Sequence, residues 1–154
     1  MPVKYIGGRI TVAGDKSISH RALMLAAVAD GTTTVEGFLA SEDCLATQAA
    51  LEAMGVPIER GSDGRVRIQG VGADGLCPPS QVLDLGNSGT AIRLLMGLLA
   101  GQSFDTQLTG DASLQQRPME RVALPLRLMG ARITTGSGGR PPVLIGGGAR
   151  LLGI

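Results

Sequence analysis

The sequence predicts an α/β fold: repeated βαβαββ units packed helix to helix, with their sheets outside. Three observations predict it. First, short β-branched segments alternate with apolar helical ones, and glycines punctuate them. Second, Gly14–Arg21 and Gly86–Arg93 read alike: a strand ends, the chain turns on glycine, and a helix opens with an arginine about one turn in. Third, matches recur at two fixed spacings. Gly14 and Gly86, Arg21 and Arg93, and Met24 and Met96 lie 72 positions apart. Met54-Gly55 and Met129-Gly130, Ile58 and Ile133, and Gly64-Arg65 and Gly139-Arg140 lie 75 apart. The difference fits a longer loop at 109–118 in the second copy. A sheet with helices on one side cannot bury both helix faces alone, so copies must pack helix on helix. Two copies leave part of that helical surface uncovered, and a third would close it.

Taken in order, residues 9–13 alternate and read as a strand. Residues 19–29 form an apolar helix that ends near Asp30-Gly31, with Ser17 or Ser19 as its cap. Thr32 to Leu39 reads as a strand. Residues 41–54 form a helix capped by Ser41, with Glu42 and Asp43 in its first turn. Leu45, Ala49, Leu51, Ala53 and Met54 supply its buried face, and Gly55 stops it. Strands at 56–60 and 65–69 flank the turn Gly61-Ser62-Asp63-Gly64, and 70–81 is a Gly/Pro-rich connection. Val82 to Leu85 opens the second copy, and a helix is expected at 118–129 with Pro118 at its first position. Pro125, inside that helix, should kink or reshape it. The expected division is a first strand within 1–13, one unit over 14–80, and a second over 81–154 with the start of a continuation.

Composition narrows the function classes. The chain is 44% hydrophobic but only 2% aromatic, so its core is aliphatic. A net charge of +1 over 154 residues argues against a general nucleic-acid surface, which would be more basic and, for single strands, more aromatic. Anionic ligands remain open if positive charge is focused locally. The longest apolar run, Ala22 to Ala29, is too short to span a bilayer. Cys44 and Cys77 lack metal-ligand spacing and read as reduced thiols of a cytoplasmic protein. MPVKYIGGRI carries no secretory signal.

The chemistry concentrates at the two corners. Gly14-Asp15-Lys16-Ser17-Ile18-Ser19-His20-Arg21 places an ammonium, hydroxyls and a guanidinium at a helix start, whose free N–H groups add partial positive charge. It is either an anion site or an ordinary solvated cap, and its spacing is not that of a P-loop. Gly86-Asn87-Ser88-Gly89-Thr90 lacks a lysine and offers backbone, with Gly89 allowing close approach. Arg117 ends an irregular loop and either faces a ligand or pairs with Asp111. His20 is either a general base or a polar residue of the first helical turn. Asp15, Glu42, Asp43 and Asp111 show no pairing of an acid–base dyad.

Together these residues resemble the 5-enolpyruvylshikimate-3-phosphate synthase family. The resemblance rests on Gly14–Arg21, on Leu85-Gly86-Asn87-Ser88-Gly89-Thr90-Ala91-Ile92-Arg93, and on Thr109-Gly110-Asp111-Ala112-Ser113-Leu114-Gln115-Gln116-Arg117-Pro118-Met119. It covers nearly the whole chain but only the N-terminal part of the family's length. It implies transfer of the enolpyruvyl group of phosphoenolpyruvate to the 5-hydroxyl of shikimate-3-phosphate, with release of phosphate and no metal or organic cofactor. By resemblance, Lys16 touches both substrates and is catalytic. Ser17 and Arg21 hold shikimate-3-phosphate. Asn87, Gly89 and Arg117 line the phosphoenolpyruvate site, which the inhibitor glyphosate also occupies. Gly89 marks sensitive members, and alanine there confers resistance. The family fold has two lobes of three βαβαββ units each, so residues 1–13 would belong to the hinge or the other lobe, and the full-length protein would be a monomer. Leu94 stands where many members have proline. The family's remaining catalytic acids and second-lobe Lys and Arg residues fall after position 154, so the chain alone is expected to be inactive. Two rivals stand beside this. A UDP-N-acetylglucosamine enolpyruvyl transferase would carry Lys-Asn at 16–17 and a reactive loop cysteine. A non-catalytic anion-binding module would need no further segment.

Overall fold

The computed structural model describes Tyr5 and residues 7–153. Its elements run α1 (Lys16–Ala27), β1 (Asp30–Val35), α2 (Glu42–Ala53), β2 (Ile58–Arg60), β3 (Val66–Val71), β4 (Leu83–Asp84), α3 (Gly89–Leu99), β5 (Thr106–Thr109), α4 (Glu120–Leu128), β6 (Arg132–Gly136) and β7 (Arg140–Gly146). The strands make an α/β protein with two sheets. One is fully antiparallel in the order β1-β3-β2, and the other runs β4-β5-β7-β6, parallel only between β4 and β5.

The strands behave as alternation demands. In β7, Pro141, Val143 and Ile145 are buried while Pro142 and Leu144 face out, so one sheet face is covered. The covering layer is helical: α1 lies against α2, α2 against α3, and α3 against α4. Leu23, Leu51, Met54, Leu85, Ile92, Leu95, Met96 and Leu99 are fully buried there. With so few aromatic residues, the interior is packed by aliphatic and methionine side chains, which fill irregular gaps at little rotamer cost.

Several boundaries move. Residues 9–13 join no sheet, and Ile10 and Val12 are 86% and 76% exposed. Their alternating pattern is real, but a strand needs a partner ladder, and none of the described strands pairs with them. Of the expected hinge segment 1–13, residues 1–4 and 6 lie outside the described residues. The cap of α1 is Asp15 rather than Ser17 or Ser19, its Oδ1 accepting the Ile18 N–H at 2.8 Å. Ser19 is otherwise engaged: its hydroxyl donates to the Asp15 carbonyl and accepts the Leu39 N–H at 3.0 Å. The buried face of α2 is Cys44, Thr47, Ala50 and Leu51, continuing to Met54, while Ala49 and Ala53 are exposed. α4 begins at Glu120, two residues past Pro118, because Met119 caps it and its N–H goes to the Gly139 carbonyl. Pro125 lies inside α4, which continues through it to Leu128. Ser41 caps α2 as expected, and Gly55 leaves it at φ +87°.

Candidate functional site at two helix starts

The first corner is held tightly by backbone. A Cβ on Gly14 would collide with the Gly37 carbonyl oxygen, so glycine alone lets the chain after β1 pass there. Because Asp15 caps α1, Lys16 is the first helical residue. Its side chain is about half exposed and its ammonium pairs with Asp43 in the first turn of α2. The buried Cys44 thiol sits 3.7 Å from the Lys16 carbonyl. These contacts, with His20 against Thr47 further along, set α1 and α2 side by side in the same direction, their starts at one end. Ser17 and Arg21 are exposed, and Arg21 Nη1 donates to the Ser17 carbonyl at 3.0 Å.

His20 is fully buried. Its Nδ1 lies 2.8 Å from Thr47 Oγ1, and Nε2 has no partner among the described residues. Burial pushes its pKa below the ordinary value, Asp43 opposing and Lys16 and Arg21 assisting. It is a neutral core residue, out of reach of a solvent-borne substrate.

At the second corner the chain reverses at Gly86, φ +53°, whose N–H donates to Asp84 Oδ1 at 2.9 Å. Ser88, fully buried, caps α3 by accepting the Ala91 N–H. Asn87 works from both ends of its amide. Nδ2 donates to Asp111 Oδ2 at 2.8 Å, and Oδ1 accepts Arg117 Nη2 at 2.5 Å. Arg117 also reaches Ser113 Oγ at 3.3 Å. Arg117 and Asp111, whose pairing was one of the two alternatives, are thus linked through Asn87 and not directly. Asp111 braces the loop: it accepts the Leu114 N–H at 2.7 Å, and its own N–H donates to Gly86. The Asn87 hydrogen bond first, then the backbone N–H of Leu114, hold its carboxyl below the usual range.

Gly89 is buried beneath two guanidiniums. A Cβ there would stand 2.8 Å from Arg93 Nη1 and 2.9 Å from Arg117 Nη1. The structure thus brings Asn87, Gly89 and Arg117 together at one corner, and Lys16, Ser17 and Arg21 at the other. The sequence did not disclose the Lys16–Asp43 pair or the grip of Arg93 on the Gly89 and Pro118 carbonyls. Asp43 had one visible signal, an acid in the first turn of a predicted helix. A groove of about 780 Å³ runs along β5, β7 and β6 past Gln107, Thr134 and Leu144, and holds none of these residues. Among the described residues no group of His, Cys, Asp or Glu is placed to hold a metal ion, and no helix is long and apolar enough to cross a membrane.

Fold and site together define an α/β protein with a helical interior and two glycine-hinged helix starts, each bearing arginine. The family follows from likeness to known proteins. Residues 1–154 match the family described as EPSP synthase (3-phosphoshikimate 1-carboxyvinyltransferase), and the chain belongs to it. It is 65% identical over 147 residues to the 3-phosphoshikimate 1-carboxyvinyltransferase of Methylococcus capsulatus, covering 96% of this chain and 34% of that protein. The corresponding protein of Alkalilimnicola ehrlichii is 60% identical over 147 residues, with 96% and 33% covered. A solved structure of EPSP synthase from Acinetobacter baumannii superposes with a TM-score of 0.92 at 58% identity, over 96% of this chain and 33% of that one. The chain spans about a third of the length of these relatives.

Proposed function

We propose that this chain is the N-terminal part of an enzyme that transfers the carboxyvinyl group of phosphoenolpyruvate to shikimate-3-phosphate. Lys16, Ser17 and Arg21 bind shikimate-3-phosphate, and Lys16, Asn87, Gly89 and Arg117 bind phosphoenolpyruvate, with Lys16 serving the chemistry. The observation that carries it is Gly89: a buried, side-chain-free helix start roofed by Arg117, whose Nη1 and Nε are not spent on described residues. Such a corner suits the carboxylate or phosphate of a small anion. Lys16 is the complementary piece, a compact ammonium held at Asp43 until a doubly negative ligand competes for it. Glyphosate, an anion of similar size to phosphoenolpyruvate, occupies the Gly89–Arg117 corner.

The chain also comprises two βαβαββ units, 14–80 and 81–154, preceded by a hinge segment over 1–13. Strand order supports this. Aligning β1, β2 and β3 with β5, β6 and β7 makes β1-β3-β2 the same order as β5-β7-β6, with β4 the strand that 9–13 would supply. The protein acts in the cytoplasm, as a monomer at full length.

Addition of the hydroxyl to the enolpyruvyl double bond and elimination of phosphate need a proton delivered and a proton removed. One lysine cannot do both, so the isolated chain is inactive and its turnover belongs to the longer protein. The test is calorimetric titration of the 154-residue chain with shikimate-3-phosphate, alone and with the separately expressed remainder of a full-length relative. Weak saturable binding alone, tighter by at least tenfold with the remainder, is expected. Normal turnover by the chain alone, or identical affinity in Lys16→Ala and unaltered protein, would overturn the proposal.

A further inference from the structure

Arg93 is the one cation of the second corner whose donors go to two carbonyls far apart in sequence. Nη1 donates to the Gly89 carbonyl at 3.0 Å, one turn back in α3. Nη2 donates to the Pro118 carbonyl at 3.2 Å, the residue after Arg117. Nε is buried with no partner among the described residues. No carboxylate pairs with Arg93 among the described residues. Desolvation first, and then the neighbouring Arg121 and Arg117 charges, weaken its hold on its proton.

A half-buried guanidinium without a counter-ion, beside two more guanidiniums, is an arrangement that folding alone does not favour. One N–H from each terminal nitrogen grips a backbone carbonyl and Nε is buried, so the side chain is placed to hold the chain and not to meet a substrate. We propose that Arg93 is a positioning residue, a forked staple that fixes the Arg117 loop to the first turn of α3 and so sets where Arg117 stands over Gly89. The geometry requires the fork. Two carbonyls on separate segments are gripped by two nitrogens of one rigid plane, and an ammonium on a flexible stem lacks that plane. Arg93 and Arg117 are held over the same glycine, so a shift of the Pro118 segment moves Arg117 directly. The uncompensated charge of Arg93 adds attraction for an anion drawn to that corner, without contact.

This rests on the assignment of Gly89 and Arg117 to phosphoenolpyruvate. The experiment uses the full-length protein carrying this sequence, with Arg93→Lys and Arg93→Gln beside Arg117→Lys. Initial rates are measured against each substrate in turn, and thermal midpoints are recorded. In Arg93→Lys and Arg93→Gln, KM for phosphoenolpyruvate should rise tenfold to about a hundredfold, the scale of a misplacement near 1 Å. KM for shikimate-3-phosphate should stay within twofold, and lysine should fail to rescue although it keeps the charge. Amide hydrogen exchange at 111–118 should quicken in both Arg93 variants and not in Arg117→Lys. Full rescue by lysine, an equal rise in both KM values, or unchanged exchange at 111–118 each overturns the staple. If Arg117→Lys itself leaves phosphoenolpyruvate affinity untouched, the underlying assignment fails instead.

Discussion

A Cβ on Gly89 would press only on the tips of two flexible side chains, Arg93 and Arg117. Folding should therefore tolerate Gly89→Ala, with a thermal midpoint within about 2 °C of the parent, the shift expected for less than 1 kcal/mol. The site should not tolerate it equally, because both guanidiniums must retreat and the methyl narrows the space beneath them. In the full-length protein, glyphosate inhibition should weaken by roughly tenfold or more, the scale of one misplaced methyl group. Inhibition unchanged from the parent, measured against varied phosphoenolpyruvate, would remove Gly89 from the anion corner. Gly89 was legible in the sequence because glycine at a helix start signals close approach whatever surrounds it. Arg93 was not, since its role depends on Pro118, which only the folded loop brings within reach. The Lys16–Asp43 pair was hidden for the same reason. The α1 cap was misplaced because Asp15, Ser17 and Ser19 are all good caps, and a distant N–H, that of Leu39, decided among them.

At the scale of elements, α4 is fastened to the β6–β7 hairpin by one carboxylate. Glu120 takes two hydrogen bonds from Arg127, at 2.7 and 3.2 Å, and a third from Thr135 at 2.7 Å. Arg127 Nε also donates to the Ile133 carbonyl. Arg127 chiefly, and then Thr135, hold the Glu120 carboxyl below its ordinary value of 4.5. A carboxylate depressed on folding stabilises fully above its unfolded pKa, and that contribution is lost as pH falls through the lower folded value. The thermal midpoint should accordingly decline as the solution is acidified below about pH 4.5. Glu120→Gln should melt lower at pH 7 yet lose less on acidification, Asp111 supplying part of the slope that remains. Parallel acid profiles for parent and variant would show that the clamp does not set α4. The element pattern itself was open to sequence reasoning, because helix periodicity, caps and glycine stops are local. The segment 9–13 was not, since an alternating pattern specifies a face but not a partner, and no described strand pairs with it.

At the scale of the molecule, the helical layer is closed on some sides and open on others. On α1, Ile18 and Leu25 lie two turns apart on one stripe, each 69% exposed. On α4, Leu124 and Leu128 lie one turn apart, at 55% and 68% exposed. Isolated exposed leucines are ordinary, but paired ones on helices that elsewhere bury their apolar faces mark a surface meant to be covered. For the 154-residue chain on its own, the available cover is a second copy. It should self-associate at concentrations of tens of micromolar, about the range where exposed apolar patches drive association. Leu25→Lys with Leu128→Lys should return it to a single small species in light scattering without lowering its helical circular dichroism. These positions contribute little to the interior, unlike Leu95, whose truncation should cost about 2–5 kcal/mol. A parent chain that stays monodisperse at those concentrations would mean that the open stripes need no cover, and would favour the self-sufficient anion-binding module over a piece of a larger lobe.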